Sequence, residues 1–224
     1  MGDSLSAPQA GILGDVPHAS TRLSGHGLVL VPRAGYRIER VADAPETTLR
    51  IAQAAESAVV DVAAAAHAEA PSELADISPG ARTGHWRVET SLLTCLWPHG
   101  FALVDDPDGV SPFLLVGPDD AMIWVSSPIA SERATPIEKL ADDGQTVRAV
   151  AQADDNSRID LDYTIDDEAW WQRRYVLVWA SGQVLVVSAQ ARREGELVAR
   201  AAVDAVAQSV THAVAEPSAS DPTH

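Results

Sequence analysis

Two apolar runs near the end of the chain, Tyr175-Val176-Leu177-Val178-Trp179 and Val184-Leu185-Val186-Val187, are separated only by Ala180-Ser181-Gly182-Gln183. β-Branched segments this close together, joined through a glycine that tolerates positive φ, form a hairpin. Neither run alternates polar with apolar, so both faces of the pair are expected to be covered. After Gln190 the apolar spacing becomes helical. Ala199, Ala202, Val203, Val206, Val210, Ala213 and Val214 share one side, and Arg200, Asp204, Gln208 and Thr211 the other. The spacing predicts a helix that packs along the sheet and ends before Pro217, with 216–224 a solvated tail.

The preceding chain divides by composition. Residues 1–25 mix Gly, Pro, Ser and Ala without period and read as a flexible leader. In 26–84, Leu28–Val31 and Tyr36–Val41 read as two short strands, paired as a hairpin through Pro32 to Gly35. Pro45 to Ala70 reads as an Ala-rich helix, with Ala52, Ala55, Val59, Val62 and Ala66 recurring at helical spacing and 70–84 as a linker. Residues 85–215 form the main domain. It has strands at His85–Trp97, Phe101–Val104, Phe113–Val116 and Ala121–Val125, a short helix from Thr135-Pro136-Ile137-Glu138, and a further meander through Thr146–Ala151, Arg158–Thr164 and Trp170–Ala180. Arg158-Ile159-Asp160-Leu161-Asp162-Tyr163 alternates strictly, which predicts a wet Asp face and a buried Ile-Leu-Tyr face. The expected fold class is α+β: an antiparallel sheet covered by helices on both faces, an α/β/α sandwich, preceded by the Ala-rich helix.

That order of elements, with Trp97-Pro98-His99-Gly100-Phe101, Pro107-Asp108-Gly109 and the closing Tyr175-to-Val210 segment, resembles the PsbP-like α/β/α sandwich over about residues 85–214. Members of that family include a photosystem assembly subunit, a nuclear-import factor that binds a small GTPase and bacterial chaperones for secreted effectors. The resemblance implies a protein-binding scaffold and no chemistry.

Charge narrows the partners. The net charge is −16, and residues 101–168 alone hold 16 acidic against 4 basic residues. Such a field repels nucleic acid and anionic membrane and speeds encounter with a basic protein. With no run of 18 apolar residues and no signal-peptide pattern at Met1-Gly2-Asp3-Ser4, the expected location is cytoplasmic. No cofactor motif occurs: phosphate-loop and dinucleotide-binding glycine patterns are missing, as is a nucleophile elbow. Cys95 sits in an apolar strand, as a structural thiol does. The acidic turns around Asp105, Asp106 and Asp108 and at Asp154-Asp155-Asn156 lack the twelve-residue calcium-loop spacing.

The expected activity is therefore non-catalytic binding of a protein partner by an adaptor or chaperone-like module. Adjacent Trp170 and Trp171 must face opposite ways in one strand, so the pair, with Arg173, supplies the candidate anchors. Two alternatives are an immunity-type inhibitor that covers a basic toxin through Asp105, Asp106, Asp108, Asp119 and Asp120, and a metal-assisted hydrolase built on His85, His99 and nearby aspartates.

Overall fold

The computed structural model describes residues 21–53, 56–61, 73–153 and 155–213. Its strands form two antiparallel sheets between which the chain passes four times. It starts in the smaller sheet with β1 (Arg22–Gly25) and β2 (Leu28–Pro32), then crosses to the larger for β3 (Tyr36–Arg40), β4 (Thr48–Gln53) and β5 (Glu56–Asp61). It returns for β6 (Ala75–Pro79), β7 (Arg87–Glu89) and β8 (Leu93–Leu96). The larger sheet then gains β9 (Ala102–Val104), β10 (Leu114–Val116), β11 (Met122–Val125), β12 (Ile129–Ala130), β13 (Thr146–Ala151), β14 (Asn156–Ile165), β15 (Glu168–Val178) and β16 (Gln183–Arg192). Helix α1 (Glu196–Ser209) follows, and β17 (Thr211–His212) rejoins the smaller sheet beside β8.

Spatial order is β17-β8-β7-β1-β2-β6 in the smaller sheet and β13-β14-β15-β16-β11-β10-β9-β3-β4-β5 in the larger, with β12 on β16. One row of opposed residues shows how the larger sheet meets the core: Ile51, Ile38, Leu103, Leu115, Ile123, Ala189, Arg173 and Asp160 lie side by side on the same face. The smaller sheet contributes Leu23, Leu28, Leu30, Val88, Leu93 and Cys95 to the same core, and α1 contributes Ala199, Ala202, Val203 and Val206. One face of the larger sheet is thus covered by a second sheet and a helix, as two inward faces with period-2 and period-3.6 apolar spacing require.

This corrects the α/β/α expectation. Beyond α1 the described residues hold only single 3-10 turns, so no helical layer covers the opposite face of the larger sheet. The PsbP-like sandwich is not the architecture found. Over its described residues the Ala-rich helix is likewise replaced: Thr48-Leu49-Arg50-Ile51-Ala52-Gln53 alternates, burying Leu49 and Ile51 and exposing Arg50, and β5 pairs with it through Gln53 opposite Glu56. Alanine fits either period, so its spacing carried no decision between them. Ala52 and Val59 lie on these strands, while Ala55, Val62 and Ala66 fall outside the described residues.

Other boundaries shift for identifiable reasons. β2 and β3 do not pair as a hairpin, because each belongs to a different sheet. The 70–84 linker contains β6, which runs along β2, and the leader's last residues form β1. His85–Trp97 folds into the β7–β8 hairpin at Thr90, whose hydroxyl accepts the N–H groups of Leu92 and Leu93. Both sheets therefore draw strands from either side of residue 85. The helix stops at Ser209, leaving Thr211 for β17. The closing hairpin is present with Gly182 at φ 76°, lengthened to 168–178 and 183–192.

Candidate functional site

The alternating strand β14 buries Ile159 and Leu161 as expected, but its Asp face is not wet. Asp160 is 5% exposed and faces α1, where Arg173 of β15 donates Nε and Nη2 to its two carboxylate oxygens at 2.6 and 2.8 Å. Arg173, 2% exposed, also donates Nη1 to Asp204 of the helix at 2.7 Å, and Tyr175 donates its hydroxyl to the same carboxylate oxygen. Burial works against the guanidinium charge, but these hydrogen bonds outweigh it and raise the Arg173 pKa. The network extends along the interface: Glu196 accepts from Arg148 at 2.8 Å and from Arg200, while Arg193 bridges Asp162 and Glu196. Arg200 and Arg173 flank Trp171, each guanidinium 5.6 Å from its ring. Trp171 is 0% exposed.

Two of the three expected anchors are thus internal. Trp171 and Arg173 tie the helix to the sheet and offer nothing to a partner. Trp170 faces the other way, half-buried, stacked on Tyr163 at 6.3 Å with the Arg192 guanidinium 6.0 Å from its ring. Asp120 and Glu168 hold Arg192 at 2.5 and 2.9 Å.

The acidic residues do not form one patch. Asp105 and Asp106 follow β9 and Asp119 and Asp120 follow β10, so antiparallel pairing sends the two groups to opposite ends of β10. Asp105 accepts the Gly35 N–H at 2.6 Å, and Asp106, buried, accepts the N–H groups of Asp108 and Ser111. Asp119 and Asp120 take φ of 53° and 56° in a tight turn. Asp106 shapes its own loop and Asp105 holds the Gly35 turn, while Asp120 pairs with Arg192.

Chemistry finds no constellation. Cys95 is fully buried, and burial pushes its thiol pKa up to about 12, so it is no nucleophile at neutral pH. His99 lies 3.9 Å from Glu46, and among the described residues no three His, Cys, Asp or Glu side chains converge as a metal site. No described helix is long and apolar enough to cross a membrane.

What the sequence reading missed is the outer face of the larger sheet, opposite α1. Leu114 sits between Val104 and Trp124 in one row, and Val116 opposite Met122 in the next, all only partly buried. Over β14 and β15 the same face is closed by the turn Ile137–Lys139 with Leu140, packed on Ile159, Leu161 and Val176. Over β9, β10 and β11 it holds apolar residues where a solvated antiparallel face carries polar ones. The signal was present in Phe113–Val116 and Ala121–Val125, which are apolar at consecutive positions.

No protein-family model and no curated protein matches the chain. Among solved structures it is similar to the crystal structure of LpqN, a Mycobacterium tuberculosis protein involved in cell envelope biogenesis, with a TM-score of 0.41 and 14% sequence identity over 55% of this chain and 83% of that one.

Proposed function

We propose that this chain is a non-catalytic protein-binding module that docks its partner on the outer face of the larger sheet, across β9, β10 and β11. The supporting observation is the incompletely buried cluster of Val104, Leu114, Val116, Met122 and Trp124 on adjacent strands. Contiguous apolar surface on a sheet is costly in water and is relieved by a partner, and tryptophan and methionine are enriched at such contacts. Trp170, Tyr163 and Arg192 extend the same face through β15 and β14, and the Asp119-Asp120 turn forms an acidic rim at one end of β10 and β11. That rim favours approach of a basic protein, with the apolar cluster supplying residence.

The test is affinity capture from a lysate of the source organism, at low salt and at roughly fivefold higher salt, a change that shortens the screening length about twofold. Wild-type chain is compared with Trp124→Glu. A protein retained at both salts by the wild type and lost with Trp124→Glu supports the reading. Equal capture by both chains, or no capture by either, removes it.

A further inference from the structure

Among the described residues four strands stand at the ends of the two sheets, and three of them carry devices that keep an open edge from pairing with another chain. In the smaller sheet β17 is two residues long, and β6 bears Asp76 and ends at Pro79. In the larger sheet β5 begins with Glu56 and ends with Asp61. The fourth strand, β13, reads Thr146-Val147-Arg148-Ala149-Val150-Ala151, with no proline, lysine or acidic residue, and it is exposed along its whole length. Alternate residues of an end strand turn their N–H and C=O groups away from the neighbouring strand, so the outer edge of β13 is a row of open donors and acceptors.

Exposed as it is, β13 is held at both ends. Before it, Gly144 turns the chain at φ 85°, and Gln145 accepts the Asp142 N–H with Oε1 and donates Nε2 to Gln172, both at 3.0 Å. After it, Gln152 donates to Glu138, and the Ser157 hydroxyl donates to the Ala153 carbonyl. The strand's one bulge falls at Arg148, whose guanidinium is met by Glu196 of α1 at 2.8 Å, so pairing at the edge leaves no charge without a partner. Beyond the bulge Ala149, Val150 and Ala151 pair with β14 in regular register.

Val147 and Val150, 46% and 43% exposed, stand opposite Leu161 and Ile159, which pack under Ile137 and Leu140. An added strand with apolar residues at alternate positions extends that cluster. Charge selects among such strands, because exposed Asp143 precedes β13 and exposed Asp155 follows it. A second copy pairing antiparallel through its own β13 sets Asp143 of each chain near Asp155 of the other and adds to the repulsion between chains of net charge −16. A strand with basic ends meets the same carboxylates favourably.

We propose that the outer edge of β13 takes an extended segment of another protein as an added strand, apolar at alternate positions and basic at both ends. Main-chain hydrogen bonds give such an addition its affinity, and the alternate side chains give it selectivity. The receiving strand is already ordered, so the incoming segment alone loses conformational freedom. With β14, β15 and β16 lying between β13 and β11, this edge is separate from the β9–β11 surface.

The experiment uses the full chain and short synthetic peptides matched in length to β13. One peptide alternates threonine and valine between pairs of lysines; a second carries glutamates in place of the lysines, and a third has proline at the centre of the lysine-ended sequence. Amide hydrogen exchange is followed by ¹H–¹⁵N NMR. The lysine-ended peptide is expected to slow exchange within Thr146–Ala151 about tenfold once its free concentration is about ten times its Kd, and to leave β5 unaffected. Glutamate ends or a central proline remove the slowing. Val150→Lys, a charge placed at an exposed position, also removes it, while β15 and β16 stay protected and so report an intact fold. Asp143→Asn combined with Asp155→Asn raises the Kd about twofold to fivefold, the scale of exposed ion pairs. No slowing in β13, equal slowing with the proline peptide, or equal slowing in β5 overturns the proposal. So does protection of β13 that grows with protein concentration alone, which assigns the edge to a second copy of the chain.

Discussion

Arg173 shows how much one residue can depend on its neighbours. It sits in the row that begins with Ile51 and Ile38, yet it carries a full charge into the space between β15 and α1. Its two carboxylate partners make that position tolerable, and each of them needs it in return. Arg173→Met leaves Asp160 buried with no counter-charge and is expected to cost about 3–5 kcal/mol, the usual result of breaking one side of an internal pair. Adding Asp160→Leu to that variant recovers most of the loss, since the pair as a whole is worth far less than either half left alone. Urea unfolding of the two variants checks this. A loss below about 1 kcal/mol for Arg173→Met would show that solvent reaches Asp160 and that the network is not sealed.

Among the elements, position in the sheet decides stability. β15 and β16 are flanked on both sides and covered by α1, whereas β13, exposed along its length, and β5 form the two ends of the larger sheet. Amide hydrogen exchange should be slowest in β15 and β16 and fastest in β13 and β5. Comparable protection in β13 would mean that its outer edge is paired in solution. The same contrast explains what was legible in the sequence. The closing hairpin and α1 were readable because Tyr175–Val187 holds two β-branched apolar runs around a glycine turn and Ala199–Val206 keeps a helical period. β4 and β5 were not, because alanine and single valines fit a helix as well as a strand, and only the position of Leu49 and Ile51 beneath the smaller sheet separates the two. The site was less legible still. Asp160 and Arg173 lie 13 residues apart and meet only through the β14–β15 register. A side chain's burial follows from which layer covers its strand, and nothing local to Trp171 states that α1 lies above it.

At the scale of the whole molecule, charge and topology set separate terms. The excess of acid remains after the ion pairs are formed, and exposed pairs contribute little individually. Raising ionic strength from about 10 mM to about 150 mM shortens the screening length from roughly 30 Å to roughly 8 Å and relieves the repulsion among the surplus carboxylates. The thermal midpoint measured by calorimetry is expected to rise over that range. A fall would show that the ion pairs outweigh the net charge. Topology acts earlier in the protein's life. The smaller sheet opens with Arg22 and closes with His212, and β17 completes it beside β8 only after the whole larger sheet has been made. A ribosome therefore releases nearly the entire chain before either layer can be finished: β1, β2, β6, β7 and β8 find one another by residue 96, but the place beside β8 stays open until Thr211 and His212 emerge. Folding is in this sense a post-translational event with slow, long-range pairing, and the nascent chain is exposed to aggregation and to chaperones for as long as translation lasts.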